Sequence, residues 1–367
     1  MSDPKKNYGI VQALLEGTVK PAGPYLLVVW TQFPNEAAAL STFLDERLVD
    51  VPTPVAVVSL DKADRLNDEG KLIDPITFVS DLKKLVADQP QFAALLNWEH
   101  NVLSAAAGTV SEIIGLTRPK PNGHPPTKLT QVLAQLATAA VGHQNVEVDR
   151  FRAVNKTLLP ILADRIGVLR GNKADKAVWA TAFAAGDLEA GLTSPITARL
   201  NRFLHVEHPP EVTGASQRGS VVELPNSLIG SGFEKRFGIM PDSKEARKDF
   251  AIKEKSPTES WSWRLVQVQA PCDEAQKHPG PLPFVLAAEV GWANKGHVAD
   301  ARWGSPCFSI EDEHVLLVLN SRYLIDFSVE DAATFAPVYR LREQIMSEVS
   351  HHLHSQGARP GIIRFGK

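Results

Sequence analysis

The sequence predicts a protein of several domains, in which a parallel α/β layer is followed by a helical block and then by a β-rich α+β domain. Three observations favour this fold class. Apolar runs of strand length alternate with amphipathic helices over residues 1–120, apolar residues recur every three or four positions up to residue 205, and strand-like runs dominate the last third. The length of 367 residues agrees with two or three domains, at roughly 100–200 residues each.

The first 120 residues supply the alternation of strands and helices. Strands are predicted at 25–30 and 54–60, both continuous apolar runs, and helices at 75–87 and 99–116. The apolar stretch 92–98 is compatible with either a strand or a helix. Because strands without polar alternation are buried on both faces, these runs favour a parallel sheet covered by helices.

Breaks in composition suggest the domain boundaries. Residues 117–127 contain four prolines and one glycine, and a second break lies at 208–219. We expect an N-terminal arm at 1–24, an α/β domain at 25–120, a helical extension at 121–212 and a β-rich domain at 213–367. Within the extension, helices are predicted at 127–141, 147–166, 173–185 and 193–205.

The last third carries strand patterns and one closing helix. Strands are predicted at 221–224, 263–269 and 283–290, and two more at 314–319 and 323–327 form a hairpin across Asn320-Ser321-Arg322. The charged stretch 240–260 is expected to be a mobile loop. A helix is predicted at 336–355.

Composition and charge exclude several classes of protein. The 44% hydrophobic and 22% charged fractions are typical of a globular chain, and two cysteines rule out a disulfide scaffold or a four-cysteine zinc site. No apolar run is long enough to span a bilayer and the N-terminus lacks a secretory pattern, so we expect a cytoplasmic protein with reduced thiols and no membrane partner.

The net charge of −3 favours neither a nucleic-acid nor a membrane partner. Residues 121–205, however, carry ten basic and six acidic side chains. A solvated helical face explains this excess, and contact with a polyanion is the alternative.

Motifs for nucleotide hydrolysis, dinucleotide binding, serine hydrolysis and zinc proteolysis are absent from the sequence. His351, His352 and His354 suit the end of a helix, where free carbonyls favour polar and cationic groups. We therefore expect no cofactor and no metal.

Two groups of residues could carry chemistry. Cys272 and Asp273 follow a predicted strand, and a thiolate nucleophile there would need a base such as His278 or His297. The alternative is a small buried residue followed by a capping carboxylate.

Asp61, Asp64, Asp68, Glu69 and Asp74 follow the strand 54–60, at the edge where parallel sheets bind ligands. They suit a metal or phosphoryl site, or else a solvated loop with capping residues.

Three segments together resemble the response-receiver (inactive receiver) domain family of bacterial antiviral conflict systems. They are the strand 25–30 with Thr31, the strand that ends at Asp61 and Lys62, and the run Asn97-Trp98-Glu99-His100-Asn101, which leads into a helix of small residues. The resemblance covers about residues 20–205. It implies a receiver-like, flavodoxin-like α/β domain. The segments 266–276, 339–343 and 358–361 are similar, more loosely, to companion β domains of such proteins.

Receiver chemistry indicates that such a domain would be inactive here. Aspartyl phosphorylation needs an acid pair after the first strand to hold Mg²⁺, and residues 30–33 read Trp-Thr-Gln-Phe instead. Asp61 stands in a phosphoacceptor-like position, with Lys62 beside it rather than on a later strand. The domain is then a scaffold for contacts, for which Trp98, Glu99 and Asn101 are candidate interaction residues. The alternative for this run is structural, with Asn97 as a helix N-cap and Trp98 packed inward beside Val102.

The resemblance implies a non-enzymatic regulatory or adaptor component of an anti-phage defence system. Its expected partner is a protein of the same operon, such as an ATPase with a histidine-kinase-like (GHKL) ATP-binding fold. Two alternatives remain open: an effector hydrolase or nuclease that uses Cys272 and Asp273, and a nucleic-acid-binding module that uses the basic segment 121–205.

Overall fold

A computed structural model describes most of the chain, in the ranges 4–18, 25–48, 51–118, 128–183, 185–208, 214–277, 280–298, 302–311 and 313–357. Contacts divide the chain into two compact units. The first comprises Met1–Val132 and Leu158–Ala190, and the second comprises Leu133–Thr157 and Gly191–Lys367. Within the described ranges, no helix is both long and apolar enough to cross a membrane.

The N-terminal part of the first unit contains a small parallel sheet and a long helix. Its elements are α1 (Pro4–Thr18), β1 (Leu26–Thr31), α2 (Ala37–Arg47), β2 (Ala56–Asp61), α3 (Pro75–Ala87) and α4 (Pro90–Gly115). β1 and β2 pair in parallel, with Leu26 opposite Ala56 and Thr31 opposite Asp61. Tyr8 of α1 and Leu44 of α2 pack against this pair in one apolar cluster.

The expected flavodoxin-like receiver fold is wrong. That fold needs a parallel sheet of about five strands with helices on both faces, whereas the sheet in the described part of this unit has two strands. The segment 92–98 belongs to α4, a helix of 26 residues. Pro90 lies in the first turn of this helix, where the N–H that proline lacks would have no partner within the helix. The apolar run after Pro90 is therefore part of the helix and does not add a strand to the sheet.

Helices dominate the middle of the chain, and those predicted at 127–141, 147–166, 173–185 and 193–205 correspond to four of them. The elements are α5 (Leu129–Val141), α6 (His143–Val146), α7 (Arg150–Val168), α8 (Lys173–Ala182), α9 (Ala185–Glu189) and α10 (Ser194–His205).

The second unit is built around an antiparallel sheet. Its strands are β3 (Val206–Glu207), β4 (Ser220–Glu223), β5 (Trp261–Gln267), β6 (Leu282–Gly291), β7 (Arg302–Gly304), β8 (Phe308–Ile310), β9 (Glu313–Phe327) and β10 (Pro337–Leu341). The helices around it are α11 (Ser231–Phe237), α12 (Lys244–Asp249), α13 (Pro271–Gln276), α14 (Val329–Ala332) and α15 (Glu343–Gly357).

The strands of this sheet are not adjacent in chain order. They lie in the order β3-β10-β4-β5-β6-β9-β7, and β8 also pairs with β9. Side chains alternate between two buried faces. Leu265, Leu286 and Val318 pack on one face with Phe233 of α11. Val266, Val285 and Leu317 pack on the opposite face, together with the apolar residues of α15.

The predicted hairpin across Asn320 is wrong, because β9 runs through this point as one strand. Its pairing with β6 shifts register there: Leu319 lies opposite Ala287, whereas Leu324 lies opposite Val285. The residues between form a bulge instead of a turn. Asn320 is buried, and its side-chain Nδ2 donates to the Asp249 carbonyl oxygen at 3.1 Å, which holds the bulge against the neighbouring segment.

The charged stretch 240–260, expected as a mobile loop, is instead packed against the sheet. Ser243 caps α12 by accepting from the Ala246 N–H, and Phe250 is completely buried. The Arg247 guanidinium lies 4.4 Å from the centre of the Trp261 ring. One side of the stretch therefore covers apolar sheet surface, while the charged side chains of Lys244, Glu245 and Lys248 are exposed.

The helix predicted at 336–355 begins later than expected. Residues 337–341 form β10, which lies between β3 and β4, and α15 starts only at Glu343. Tyr339 and Leu341 are both buried on the same face of the sheet. Their alternate spacing suits a strand, and the strand is stabilised by neighbours distant in sequence.

A buried arginine joins three parts of the second unit. The side chain of Arg218 is only 2% exposed. Its Nη1 donates to the Gln269 carbonyl, and its Nη2 donates to the Met346 carbonyl at 3.0 Å and to Ser350 Oγ at 2.8 Å. Its Nε lies 3.2 Å from a carboxylate oxygen of Glu343. One guanidinium thus links the start of β4, the segment after β5 and the first turns of α15.

The next residue, Gly219, has to be glycine. Its φ is +82°, and an added Cβ would collide with the carbonyl oxygen of Leu341. Its own carbonyl accepts from the Leu341 N–H at 2.8 Å. The close approach of β10 therefore depends on the missing side chain.

We expect Arg218→Met to lower the free energy of unfolding by about 3 kcal/mol, because two buried carbonyls lose a charged donor. Urea unfolding followed by tryptophan fluorescence measures this loss. Arg322→Met is the control, since Arg322 is exposed on β9 and its replacement should change stability by less than about 0.5 kcal/mol. Equal stability of Arg218→Met and Arg322→Met would contradict the stabilising role of the buried Arg218 side chain.

A second polar contact predicts how stability depends on pH. Tyr323 donates its hydroxyl to Asp249 Oδ2 at 2.6 Å, and Arg302 Nη2 lies 3.4 Å from Oδ1 of the same carboxylate. Burial, followed by the bond to Asp249 and its charge, raises the pKa of Tyr323 from 10.0 to about 12.

Because the folded state holds this proton more tightly than the unfolded chain, the stabilisation is complete below pH 10 and is lost as the pH rises towards 12. We expect the unfolding free energy of Tyr323→Phe to decline less steeply than that of the parent protein across this window. Parallel curves in urea titrations at several pH values would refute the prediction.

Candidate functional site

Asp61, predicted as a phosphoacceptor-like residue, occupies the last position of β2, beside Thr31 of β1. Its Oδ1 accepts from the Ala63 N–H at 2.9 Å, and the Lys62 N–H donates to the Thr31 carbonyl at 2.9 Å. The carboxylate thus closes a local turn. In the described part of the chain, no three His, Cys, Asp or Glu side chains converge as a metal site requires.

The acidic residues after Asp61 have local roles. Asp74 caps α3: it accepts from the Ile76 N–H at 2.9 Å and from the Thr77 hydroxyl, and these bonds lower its pKa. Glu69 lies 3.0 Å from Lys71 Nζ. These are the contacts of a capped, solvated loop.

Cys272 lies on the short helix α13 and is exposed, with its Sγ 3.5 Å from Oδ1 of Asp273. His297 is exposed, and His278 lies outside the described residues. The neighbouring Glu274 is more firmly placed, because its carboxylate lies 3.3 Å from both Arg152 and Lys156. The contacts recorded for α13 therefore attach it to α7, while the thiol faces solvent.

The run from Asn97 to Asn101 lies in the interior of α4, so Asn97 is not an N-cap. Its Nδ2 donates to Asp175 Oδ1 at 2.7 Å, and its Oδ1 accepts from Trp179 Nε1 and from Asn101 Nδ2, both at 3.3 Å. Asp175 also completes the capping box of α8 with Asn172. Asn97 is therefore the polar centre of the contact between α4 and α8.

Trp98 is on the solvent side of α4, with 54% of its surface exposed, whereas Glu99 is half-buried. Further large apolar side chains are exposed on the same helix, namely Leu95, Leu103, Val110 and Ile114. The spacing of Leu103, Val110 and Ile114 places these three side chains along one side of α4, whereas Trp98 lies about 140° around the helix from Leu103. A long apolar surface of this kind is typical of a protein interface.

In the described part of the chain, β1 has one hydrogen-bonding edge that no other strand occupies, which we call the free edge of β1. The carbonyls of Tyr25 and Thr31 accept from the β2 side of the sheet. Backbone groups alternate between the two sides of a strand, so those of Leu26, Val28 and Trp30 point away from β2. Among the described residues, no other strand pairs with β1. The side chains of β1 are only half-buried, although the sequence is as apolar as an interior strand.

One polar cluster of the second unit was not found by sequence reasoning. Arg264 Nη2 donates to Glu289 Oε1 at 2.8 Å, and both side chains are largely buried between strands. Tyr339 is fully buried nearby. Burial, followed by the negative charge of Glu289, raises its pKa well above the usual value. Glu289 also borders an open cavity of about 490 Å³, which includes Ser262 and His314. The sequence pattern that could have indicated this cluster is one charged residue in each of two otherwise apolar strands, Arg264 in β5 and Glu289 in β6.

The C-terminal histidines make local contacts. His354 Nδ1 lies 2.7 Å from the Ser350 carbonyl, one turn earlier in α15. His352 is half-buried, and its Nε2 has no hydrogen-bond partner in the described residues.

No protein-family model, curated protein or solved structure matches this chain.

We expect Asn97→Ala to destabilise the first unit by about 1–2 kcal/mol, since Asp175 and Trp179 would lose a partly buried partner. Trp98→Ala should change stability by less than about 0.5 kcal/mol, because that side chain is mostly exposed. Thermal and urea unfolding of the two variants measure both effects. A larger loss for Trp98→Ala would show that the tryptophan is packed and not presented to solvent.

Proposed function

We propose that this protein is a non-enzymatic docking component that binds a partner protein through its first unit. The resemblance in sequence supports a role as a regulator or adaptor in bacterial anti-phage defence. The proposal includes a cytoplasmic location and a partner encoded in the same operon, with a GHKL-type ATPase as the first candidate.

The free edge of β1 is the observation that carries this proposal. A two-stranded parallel sheet is a small structure, and its apolar strands bury little surface without further neighbours. The outward N–H and C=O groups of Leu26, Val28 and Trp30 offer hydrogen bonds to an additional strand. An extended segment of a partner protein would satisfy these groups and cover the half-buried side chains.

The exposed apolar side chains of α3 and α4 also support docking. Ile76 and Val79 on α3 are exposed, as are Trp98 and Leu103 on α4. Aromatic and aliphatic side chains of this kind supply most of the affinity when a partner covers them. Burial of these apolar side chains would therefore contribute to the free energy of binding to a partner protein, in addition to hydrogen bonds at the edge of β1.

We expect Val28→Pro to abolish partner binding while the protein stays folded. Proline removes an N–H that points away from β2, and edge strands tolerate proline at such positions. Val29→Pro is the matched control for stability, because the Val29 N–H points towards β2 and its loss should weaken the sheet itself. The assay is copurification after co-expression with each product of the adjacent genes, with and without ATP.

Hydrogen exchange of the parent protein provides a second readout that does not depend on a variant. The amides of Leu26, Val28 and Trp30 should become protected when the partner is bound. The proposal fails if folded Val28→Pro copurifies as well as the parent. It also fails if the protein is recovered only as an isolated monomer with every adjacent gene product.

A further inference from the structure

A cavity of about 560 Å³ lies in the second unit, where the end of α10 meets β3 and β8. Basic side chains from different parts of the chain converge on it. Arg199 and Arg202 come from α10, and Arg342 follows β10. The neutral side chain of Ser309, from β8, also lines the cavity. This volume is suitable for a small organic ligand.

Contacts within the fold hold the backbone around the cavity and the Arg202 side chain in place. Arg202 Nη2 donates to the His208 carbonyl at 2.8 Å and lies 3.2 Å from His208 Nδ1. The backbone N–H of Arg342 donates to the His205 carbonyl at 2.8 Å, which fixes this residue beside the end of α10. Asn201 Nδ2 donates to the Cys307 carbonyl at 2.7 Å and ties α10 to the start of β8. The cavity wall is thus supported by backbone contacts.

The charge of the cavity favours an anion. Two carboxylates, Glu207 and Glu311, line it beside the three arginines. Glu207 Oε2 already accepts from Arg340 Nε at 2.8 Å and from Nη2 at 2.6 Å, so that its charge is neutralised. No ion pair to a described carboxylate is recorded for Arg199 or Arg342. These two guanidinium groups are available to a phosphate, which arginine binds with paired donors.

An exposed aromatic ring borders the same cavity. Phe203 lies one helical turn after Arg199 and is 71% exposed. A ring beside arginines provides a stacking surface next to an anion site. Together they match a ligand with one flat aromatic part and one phosphate part.

We propose that this cavity binds a nucleoside phosphate, with the phosphate held by Arg199 and Arg342 and the base stacked on Phe203. The site is distinct from the free edge of β1 and does not depend on the docking function. The positive charge of the segment 121–205, which ends at α10, is then partly a ligand-binding feature.

Calorimetric titration of the full chain with AMP and ATP tests the proposal directly. Both ligands should bind, and binding should weaken as ionic strength is raised towards ~0.15 M, because the contact is with phosphate. Adenosine should bind at least about tenfold more weakly than AMP, since it lacks the charged group that arginine recognises. Ribose 5-phosphate should also bind more weakly, since it lacks the base. Equal binding of AMP and adenosine would refute the phosphate site.

Variants locate the site. Arg199→Gln should weaken AMP binding at least about tenfold, and Phe203→Leu should weaken AMP while leaving ribose 5-phosphate unchanged. Arg236→Gln is the matched control, because Arg236 is exposed on α11 and does not line the cavity. Thermal unfolding should show that each variant is folded. If Arg236→Gln weakens AMP binding as much as Arg199→Gln, or if AMP and ATP fail to bind at low ionic strength, the proposal is overturned.

A short single-stranded oligonucleotide distinguishes a free nucleotide from a nucleic-acid strand. We expect it to bind no more tightly than AMP. A much higher affinity that is lost in Arg199→Gln would overturn the assignment to a free nucleotide and would favour a nucleic-acid-binding module instead.

Discussion

Burial of the antiparallel sheet on both faces is the constraint on which the second unit depends. Val266 and Leu317 on one face and Leu265 and Val318 on the other are all fully buried, so each face needs its own cover. The stretch that contains α12 covers one face and α15 covers the other. Polar groups that enter this interior must bring partners, because an unpaired charge there would cost several kcal/mol. Arg218 meets this requirement with three acceptors and one carboxylate.

The first unit differs because its two-stranded sheet does not bury the apolar side chains of β1 completely. Among the described residues, no further strand pairs with β1, and its apolar side chains are half-buried. Its defined polar centre is instead Asn97, between α4 and α8. A chain that buries one sheet completely and leaves another open uses the first as a stable framework.

Asp61 and the carboxylates that pair with basic side chains make structural contacts. Asp61 closes a turn, Glu274 anchors α13, and Glu289 pairs with Arg264. Arg199 and Arg342, for which no ion pair to a described carboxylate is recorded, line one cavity. Guanidinium groups bind anionic oxygens with paired donors.

The sequence by itself determined where most regular elements lie, since local periodicity decides helix against strand. The helix at 75–87 and the strands near residues 26, 56 and 283 follow from it. Only the tertiary structure decided which segments pair and which side chains meet. β10 is a strand because β3 and β4 flank it, and Asn320 marks a bulge because its amide reaches Asp249. The parallel sheet stops at two strands because α4 continues through the apolar run at residue 92. Such outcomes depend on contacts between residues far apart in sequence, which no local pattern encodes.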